Sequence, residues 1–182
     1  MPIYFGIDCG YAAPGFAIVD AYAGCGTVLY AECFRTKGLS KKQRNAQDVY
    51  KSHDDARRCI TVSDEIKRLV EIYDPDYAVV ELPSAGAKSA TAIKGMALGA
   101  ATTVVTLHRL GVPVLYITPG ANKRGSTDDR NAQKDAVKDA VQKIWPAFNG
   151  WPKLKKKNAL DREACWAVAD ALSTIYTYLK NG

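Results

Sequence analysis

Three carboxylates stand where the sequence makes them chemically useful. Asp8 closes the apolar run Tyr4-Phe5-Gly6-Ile7, Glu81 closes Tyr77-Ala78-Val79-Val80, and Asp170 lies in Ala169-Asp170-Ala171-Leu172. An acid at the end of a buried-type strand is held at a sheet edge on a rigid support, as a metal ligand must be. Such a trio without a cation would repel itself and resist ionisation, so the chemistry it suits is the binding of a hard divalent cation. Each acid also has a plainer alternative. Asp8 precedes Gly10 and Pro14-Gly15, and Asp and Gly are ordinary turn residues. Asp170 points away from the centre of its helix's apolar stripe, where an Asp is commonly solvated. Glu163 shares nearly the same helix face.

The elements that must position these groups follow from the patterning. Residues 4–8 and 15–20 read as two strands joined by a Gly- and Pro-rich turn, hence antiparallel. Residues 27–35 are a third strand, and residues 37–54 a polar, mobile loop. Val62, Ile66, Leu69, Val70 and Tyr73 recur at helical spacing over residues 55–73, and Pro75 ends that helix. The strand at residues 77–81 stops at Pro83.

A long helix spans residues 90–110. It contains Gly95 and Gly99, whose cost in a helix implies close packing against either the sheet or a second subunit. Residues 112–118 are a fifth strand, and residues 119–127 a loop. The next helix covers residues 128–145, capped by Ser126 or Thr127 with Asp128 and Asp129 in its first turn. The last helix covers residues 160–179. Strands joined through helices imply parallel neighbours and right-handed crossovers. The expected architecture is one α/β domain over residues 1–182, with a five-stranded mixed sheet and helices on both faces. The first and fourth strands then lie side by side, which brings Asp8 and Glu81 together, and a helix across that edge adds Asp170.

Composition narrows the class. The chain has 182 residues, 47% hydrophobic and 24% charged, which suits one globular domain. No window resembles a membrane span or a signal peptide, so the expected compartment is the cytoplasm. The five cysteines are scattered, with no Cys-x-x-Cys spacing, which argues against a zinc site or a disulfide framework. His53 and His108 are too far apart in sequence to form a helical ligand pair. A net charge of +6 favours polyanionic partners. The cations cluster in Lys37, Lys41, Lys42 and Arg44, in Lys123 and Arg124, and in Lys153, Lys155, Lys156 and Lys157. Three such loops suit a phosphate-contacting surface, and each by itself also reads as a solvated loop.

Gly6-Ile7-Asp8-x-Gly10 with Gly15-Phe16-Ala17-Ile18-Val19, then Pro75 to Glu81, then Ala169 to Leu172, resembles the RuvC-type Holliday junction resolvases of the RNase H-like superfamily. The match runs in order over most of the chain. The resemblance implies Asp8, Glu81 and Asp170 as ligands of a Mg²⁺ or Mn²⁺ pair, with Lys134 beside the scissile phosphate. It implies Lys123 and Lys134 as DNA contacts near the active site, which Arg124 extends as a neighbour in the same basic loop, and a homodimer formed through the helix around Gly95 and Gly99. The implied substrate is branched DNA, a four-way junction.

Two positions depart from the family's pattern. A second acid or His usually stands one turn before the last Asp, and here that position is Ala167. Glu163 is its nearest replacement, two helical turns or roughly 10 Å from Asp170 along the axis, and Asp161 is less well placed. The aromatic wedge expected after the second acid is also missing, since Leu82, Pro83, Ser84 and Ala85 follow Glu81. Lys153 to Lys157, with Trp145 and Trp151 nearby, could supply contacts instead. Other readings keep the fold but change the activity: a nucleic-acid-binding protein with an impaired site, or a nuclease acting on RNA or flaps. An actin-like kinase shares the opening strand and Asp-x-Gly, but needs two domains to enclose ATP.

Overall fold

The computed structural model describes residues 1–22, 25–83, 89–152 and 159–181. Its strands are β1 (Ile3–Asp8), β2 (Gly15–Tyr22), β3 (Cys25–Cys33), β4 (Tyr77–Glu81) and β5 (Val114–Ile117). They form one sheet in the order β3-β2-β1-β4-β5. The meander β1-β2-β3 is antiparallel, whereas β4 and β5, each reached through a helix, run parallel to β1. This is the expected mixed five-stranded sheet.

Side chains alternate along a strand, and the apolar residues divide accordingly into two cores. Phe5, Ile7, Phe16, Ile18, Ala78 and Val80 pack with Val62, Ile66 and Leu69 of α2 (Lys51–Tyr73) and Leu107 of α3 (Ala90–Arg109). Tyr4, Ala17, Val19 and Val79 pack with Val137 and Val141 of α5 (Lys134–Ile144) and Val168, Ala171, Leu172 and Ile175 of α6 (Ala159–Asn181). Helices therefore cover both faces. The same alternation puts Asp8, two residues past Gly6, and Glu81, two past Val79, on the α6 side.

Helix α6 lies almost on the sheet backbone. A Cβ on Gly6 would stand 2.2 Å from the Ala171 carbonyl oxygen, and one on Gly15 would stand 2.0 Å from that of Ala167. Only glycine permits this approach. Because α4 (Pro119–Thr127) and α5 also pack on α6, that helix is buried on several sides. Asp170 is therefore buried, not solvated as its distance from the apolar stripe suggests.

Three expected boundaries are corrected. The supposed loop over residues 37–54 contains α1 (Lys41–Ala46), closed by a capping box between Ser40 and Gln43, and the first residues of α2. It is tied down as well: Asp54 accepts from Leu39 N at 3.0 Å, and Arg57 donates to Lys37 O at 2.6 Å. Residues 119–127 are α4, with Thr118 as N-cap and Pro119 in the first turn, a pairing that favours helix starts. Asp128 then sits at φ 59° as the C-cap of α4, so α5 begins only at Lys134, and neither Ser126 nor Thr127 caps it.

The α3 glycines pack on a turn and not on the strands. Cβ atoms on Gly99 and Gly95 would meet Tyr11 N at 2.7 Å and Tyr11 Cε1 at 2.9 Å, in the turn that follows Asp8. By length and composition α3 is also apolar enough to cross a membrane, contrary to the expectation that no stretch of the chain is. In the fold it packs against α2 and the Tyr11 turn, burying Gly99, Thr103, Thr106 and Leu107, while Ile93 and Val105 stay exposed.

Candidate active site

The site is built where β1 and β4 end. Asp8 is the register partner of Glu81 across the parallel pair and of Gly15 across the antiparallel one. α6 then crosses with Ala167 over Gly15 and Ala171 over Gly6. Asp170 lies between those two contact points, one residue before Ala171. Three elements with separate reasons to fold thus deliver three acids to one edge.

Their protonation behaviour shows the mutual repulsion. Burial, then the Asp170 and Glu81 charges, hold the Asp8 carboxyl well above its usual range. Burial and Asp170 push Glu81 up to about 7. Burial also raises Asp170, against the lowering influence of Lys134. Lys134, the first residue of α5, places its Nζ 3.3 Å from Asp170 Oδ2 and 5.7 Å from the Trp166 ring centroid. Burial opposes its charge, but Asp170, Asp8 and Glu81 together raise its pKa. Lys123 on α4 lowers the pKa of both Glu81 and Asp170 from a distance. Even so, the two lysines leave the carboxyls raised, so the cluster calls for more positive charge.

One member of the site has no signal in the sequence. Asn122, on α4, is 1% exposed; its Nδ2 donates to Glu81 Oε2 and, at 3.2 Å, to the Asp170 carbonyl. A lone Asn in a stretch that reads as a loop offers nothing to single it out. Trp166 likewise has no sequence signal. Its Nε1 donates to Asp135 Oδ1 at 2.9 Å, which fixes the ring beside Lys134.

The remaining candidates stand farther out. Glu163 is exposed, and its electrostatic influence falls on the Cys33 thiol at the end of β3. Arg124 is exposed. Lys153, Lys155, Lys156 and Lys157, with Ser84 and Ala85, lie outside the described residues. Leu82 packs against the α2-side core. Trp145 is a packing anchor and not a surface contact: it is 4% exposed and donates to Gly26 O at 3.0 Å. Burial pushes the Cys9 thiol, next to Asp8, up to about 12, so it is no nucleophile at neutral pH.

In donor chemistry the trio fits a hard divalent cation: oxygen ligands only, on rigid elements, with uncompensated negative charge. In arrangement it is not closed around one. Lys134 holds Asp170 and Asn122 holds Glu81, and among the described residues no three His, Cys, Asp or Glu side chains are grouped so as to hold an ion. Ala167, one turn before Asp170, is 6% exposed and packed in the α6-side core.

Comparison with known proteins gives concordant matches. A family model described as crossover junction endodeoxyribonuclease RuvC matches residues 4–160. The crossover junction endodeoxyribonuclease RuvC of Moorella thermoacetica is 30% identical over 144 residues, covering 78% of this chain and 77% of that one. Among solved structures, T. thermophilus RuvC in complex with a Holliday junction substrate superposes with a TM-score of 0.69 at 18% identity, covering 97% of this chain and 92% of that one. The yeast mitochondrial Holliday junction resolvase does so with a TM-score of 0.61 at 12% identity, covering 97% and 77%. At these identities the structural likeness concerns the fold, the RNase H-like α/β arrangement.

Proposed function

The chain belongs to the RuvC family of crossover junction endodeoxyribonucleases, and from that membership we propose that it is a Mg²⁺- or Mn²⁺-dependent endonuclease that resolves four-way DNA junctions. The observation that carries the reading is the parallel register of Asp8 with Glu81 beside a buried Asp170, all three raised in pKa by burial, Asp8 also by the charges of Asp170 and Glu81, and Glu81 by that of Asp170.

Asp8, Glu81 and Asp170 would hold the metal, with Glu163 as an outlying fourth candidate. Bound there, a pair of such ions would supply a water of lowered pKa and charge stabilisation for a leaving 3′ oxygen. The protein's own part is positional and electrostatic. The two strand ends keep Asp8 and Glu81 adjacent without cost at the moment of reaction. Asp170 completes the negative wall on which a cation is favoured over bulk water. The Lys134 ammonium, over half exposed, is a point charge placed to meet a phosphate at the mouth of the site. Lys123 and Arg124 on α4 extend that positive rim, and Lys153, Lys155, Lys156 and Lys157 are assigned to the DNA arms.

A four-way junction presents two equivalent strands, so paired cleavage suits a two-fold homodimer. With Gly95 and Gly99 occupied by Tyr11, the face of α3 available to a second copy is the exposed one carrying Ile93, Ala97, Ala101 and Val105. Among the described residues Cys9, Cys33, Cys59 and Cys165 are free thiols, which accords with a cytoplasmic setting.

Labelled four-way junctions incubated with the protein and Mg²⁺ test the reading. Wild type should release paired, symmetric nicks, and Asp8→Asn should release none. Undiminished cleavage by Asp8→Asn would overturn it. The burial of Ala167 favours a second reading, a junction-binding protein with weakened chemistry. Tight binding without cleavage in either metal would select that one.

A further inference from the structure

Asn122 is held more tightly than its neighbours on α4 require. Its backbone carbonyl accepts from Ser173 Oγ at 3.2 Å and Thr177 Oγ1 at 3.1 Å, both on α6, and its N–H donates to Thr118 O at 2.9 Å. Three residues on, a Cβ at Gly125 would stand 2.1 Å from Thr177 Oγ1, so α4 is seated against α6 as closely as α6 is against the sheet. The amide of Asn122 therefore has little freedom to move.

Its orientation is also determined. Both groups it meets, a Glu81 carboxylate oxygen and the Asp170 carbonyl, are acceptors, so only the NH₂ side satisfies them. That leaves Oδ1 buried and, among the described residues, without a hydrogen-bond partner. An unpartnered buried acceptor is destabilising, a burden that packing alone would not favour, since an apolar side chain would avoid it. What offsets that cost is the hydrogen bond to Glu81, which strengthens once the carboxylate is ionised, as a bound cation would hold it.

We propose that Asn122 is a positioning residue for Glu81: its amide ties one carboxylate oxygen to α4 and so fixes which oxygen is presented to a divalent cation. The proposal rests on the nuclease reading above. Partners that orient a ligand in this way typically contribute about 10–100-fold to metal affinity or activity. Asn122 also joins β4, α4 and α6, so it transmits the placement of Asp170's backbone to Glu81's side chain.

The test is Mn²⁺ binding to the DNA-free protein by calorimetry, for wild type, Glu81→Gln, Asn122→Leu and Asn122→Ala, each with its melting curve. Leu keeps the branched shape and removes the donor, while Ala, which cannot overpack, carries the test should the Leu variant fail to fold. Both should bind Mn²⁺ about 10–100-fold more weakly while melting cooperatively. In cleavage assays they should lower kcat at limiting Mn²⁺, regain rate as Mn²⁺ is raised, and keep the wild-type KM for the junction. A loss of packing alone would not be restored by the ion. Asn122 variants that bind Mn²⁺ like wild type, while Glu81→Gln binds weakly, would overturn this proposal and leave the nuclease reading intact. A wild type that neither binds Mn²⁺ nor cuts junctions would overturn both.

Discussion

Gly15 lies directly beneath Ala167, so close that a Cβ on Gly15 would stand 2.0 Å from the Ala167 carbonyl oxygen and 2.5 Å from its carbonyl carbon. This contact sets the height of α6 above the sheet. It also places Asp170, three residues on, beside the ends of β1 and β4. The residue one turn before Asp170 is thus a packing residue at the closest point between helix and strand.

Gly15→Ala should therefore be costly, because the obstacle is backbone and cannot rotate away. Overpacking of a core costs about 1–3 kcal/mol, and urea denaturation should show at least that loss. Since α6 must lift to relieve the clash, residual folded protein should also bind Mn²⁺ more weakly. Wild-type stability and metal affinity in this variant would contradict the seating described above.

Ala167→Asp tests the missing fourth ligand. A further carboxylate beside Asp8 and Asp170 adds like-charge repulsion when no cation is present. The metal-free variant should melt below wild type. Mn²⁺ should then raise its melting temperature by more than it raises that of wild type, because binding to the folded state alone stabilises it. An equal or smaller shift would mean that this position does not reach the site.

The carboxyl cluster predicts an unusual dependence of stability on pH. Glu81 is raised from 4.5 to about 7 by burial and Asp170, and Asp8 and Asp170 are raised as well. For acids raised on folding, the native state holds protons that the unfolded state has released. Their stabilisation is full below the unfolded pKa and is lost as pH rises through the folded one. Metal-free protein should therefore lose stability between about pH 4.5 and 7, and Glu81→Gln should flatten that slope. Asp54 and Asp55 act oppositely: burial works to raise them, but Arg57, and Lys94 with Tyr11, pull them below 3.8, so their contribution fades on further acidification. Melting temperatures from about pH 3.5 to 8 in chelator should thus pass through a maximum on the acid side of neutrality.

Asp55 anchors the turn that follows Asp8. It is buried and accepts from Tyr11 Oη at 3.1 Å and Lys94 Nζ at 2.7 Å, while the Arg58 guanidinium lies 4.3 Å from the Tyr11 ring centroid. Asp55→Ala removes the acceptor of the Tyr11 hydroxyl and releases the exposed Lys94 ammonium to water, at a net cost of about 0.5–1.5 kcal/mol. The Tyr11 turn also carries the contact with Gly99, so junction cleavage should fall with kcat while junction binding is retained. Unchanged stability and kcat would show that the anchor is dispensable.

Much of the site was legible because strands announce their ends. The apolar runs stopping at Asp8 and Glu81, the Pro after Glu81, and the meander followed by two crossover strands were enough to expect the pairing of those two acids. Asp170 was harder to read. Its helix shows one apolar stripe, yet it is buried on more than one side because α4 and α5 cover what the sheet does not. Helix α4 was hidden because its formation depends on a Thr-Pro start and on Gly125 fitting against Thr177, and short-range apolar periodicity reports neither.

The sequence by itself thus determined the five strands, the expected neighbourhood of the first and fourth, and the two strand-end acids, since alternation and turn residues are local properties. Only the tertiary structure decided what surrounds those acids. That Asn122 reaches Glu81, that Lys134 meets Asp170, and that Ala167 is buried against Gly15 depend on how closely α4, α5 and α6 pack. That closeness is set by glycines whose partners lie far away in the chain.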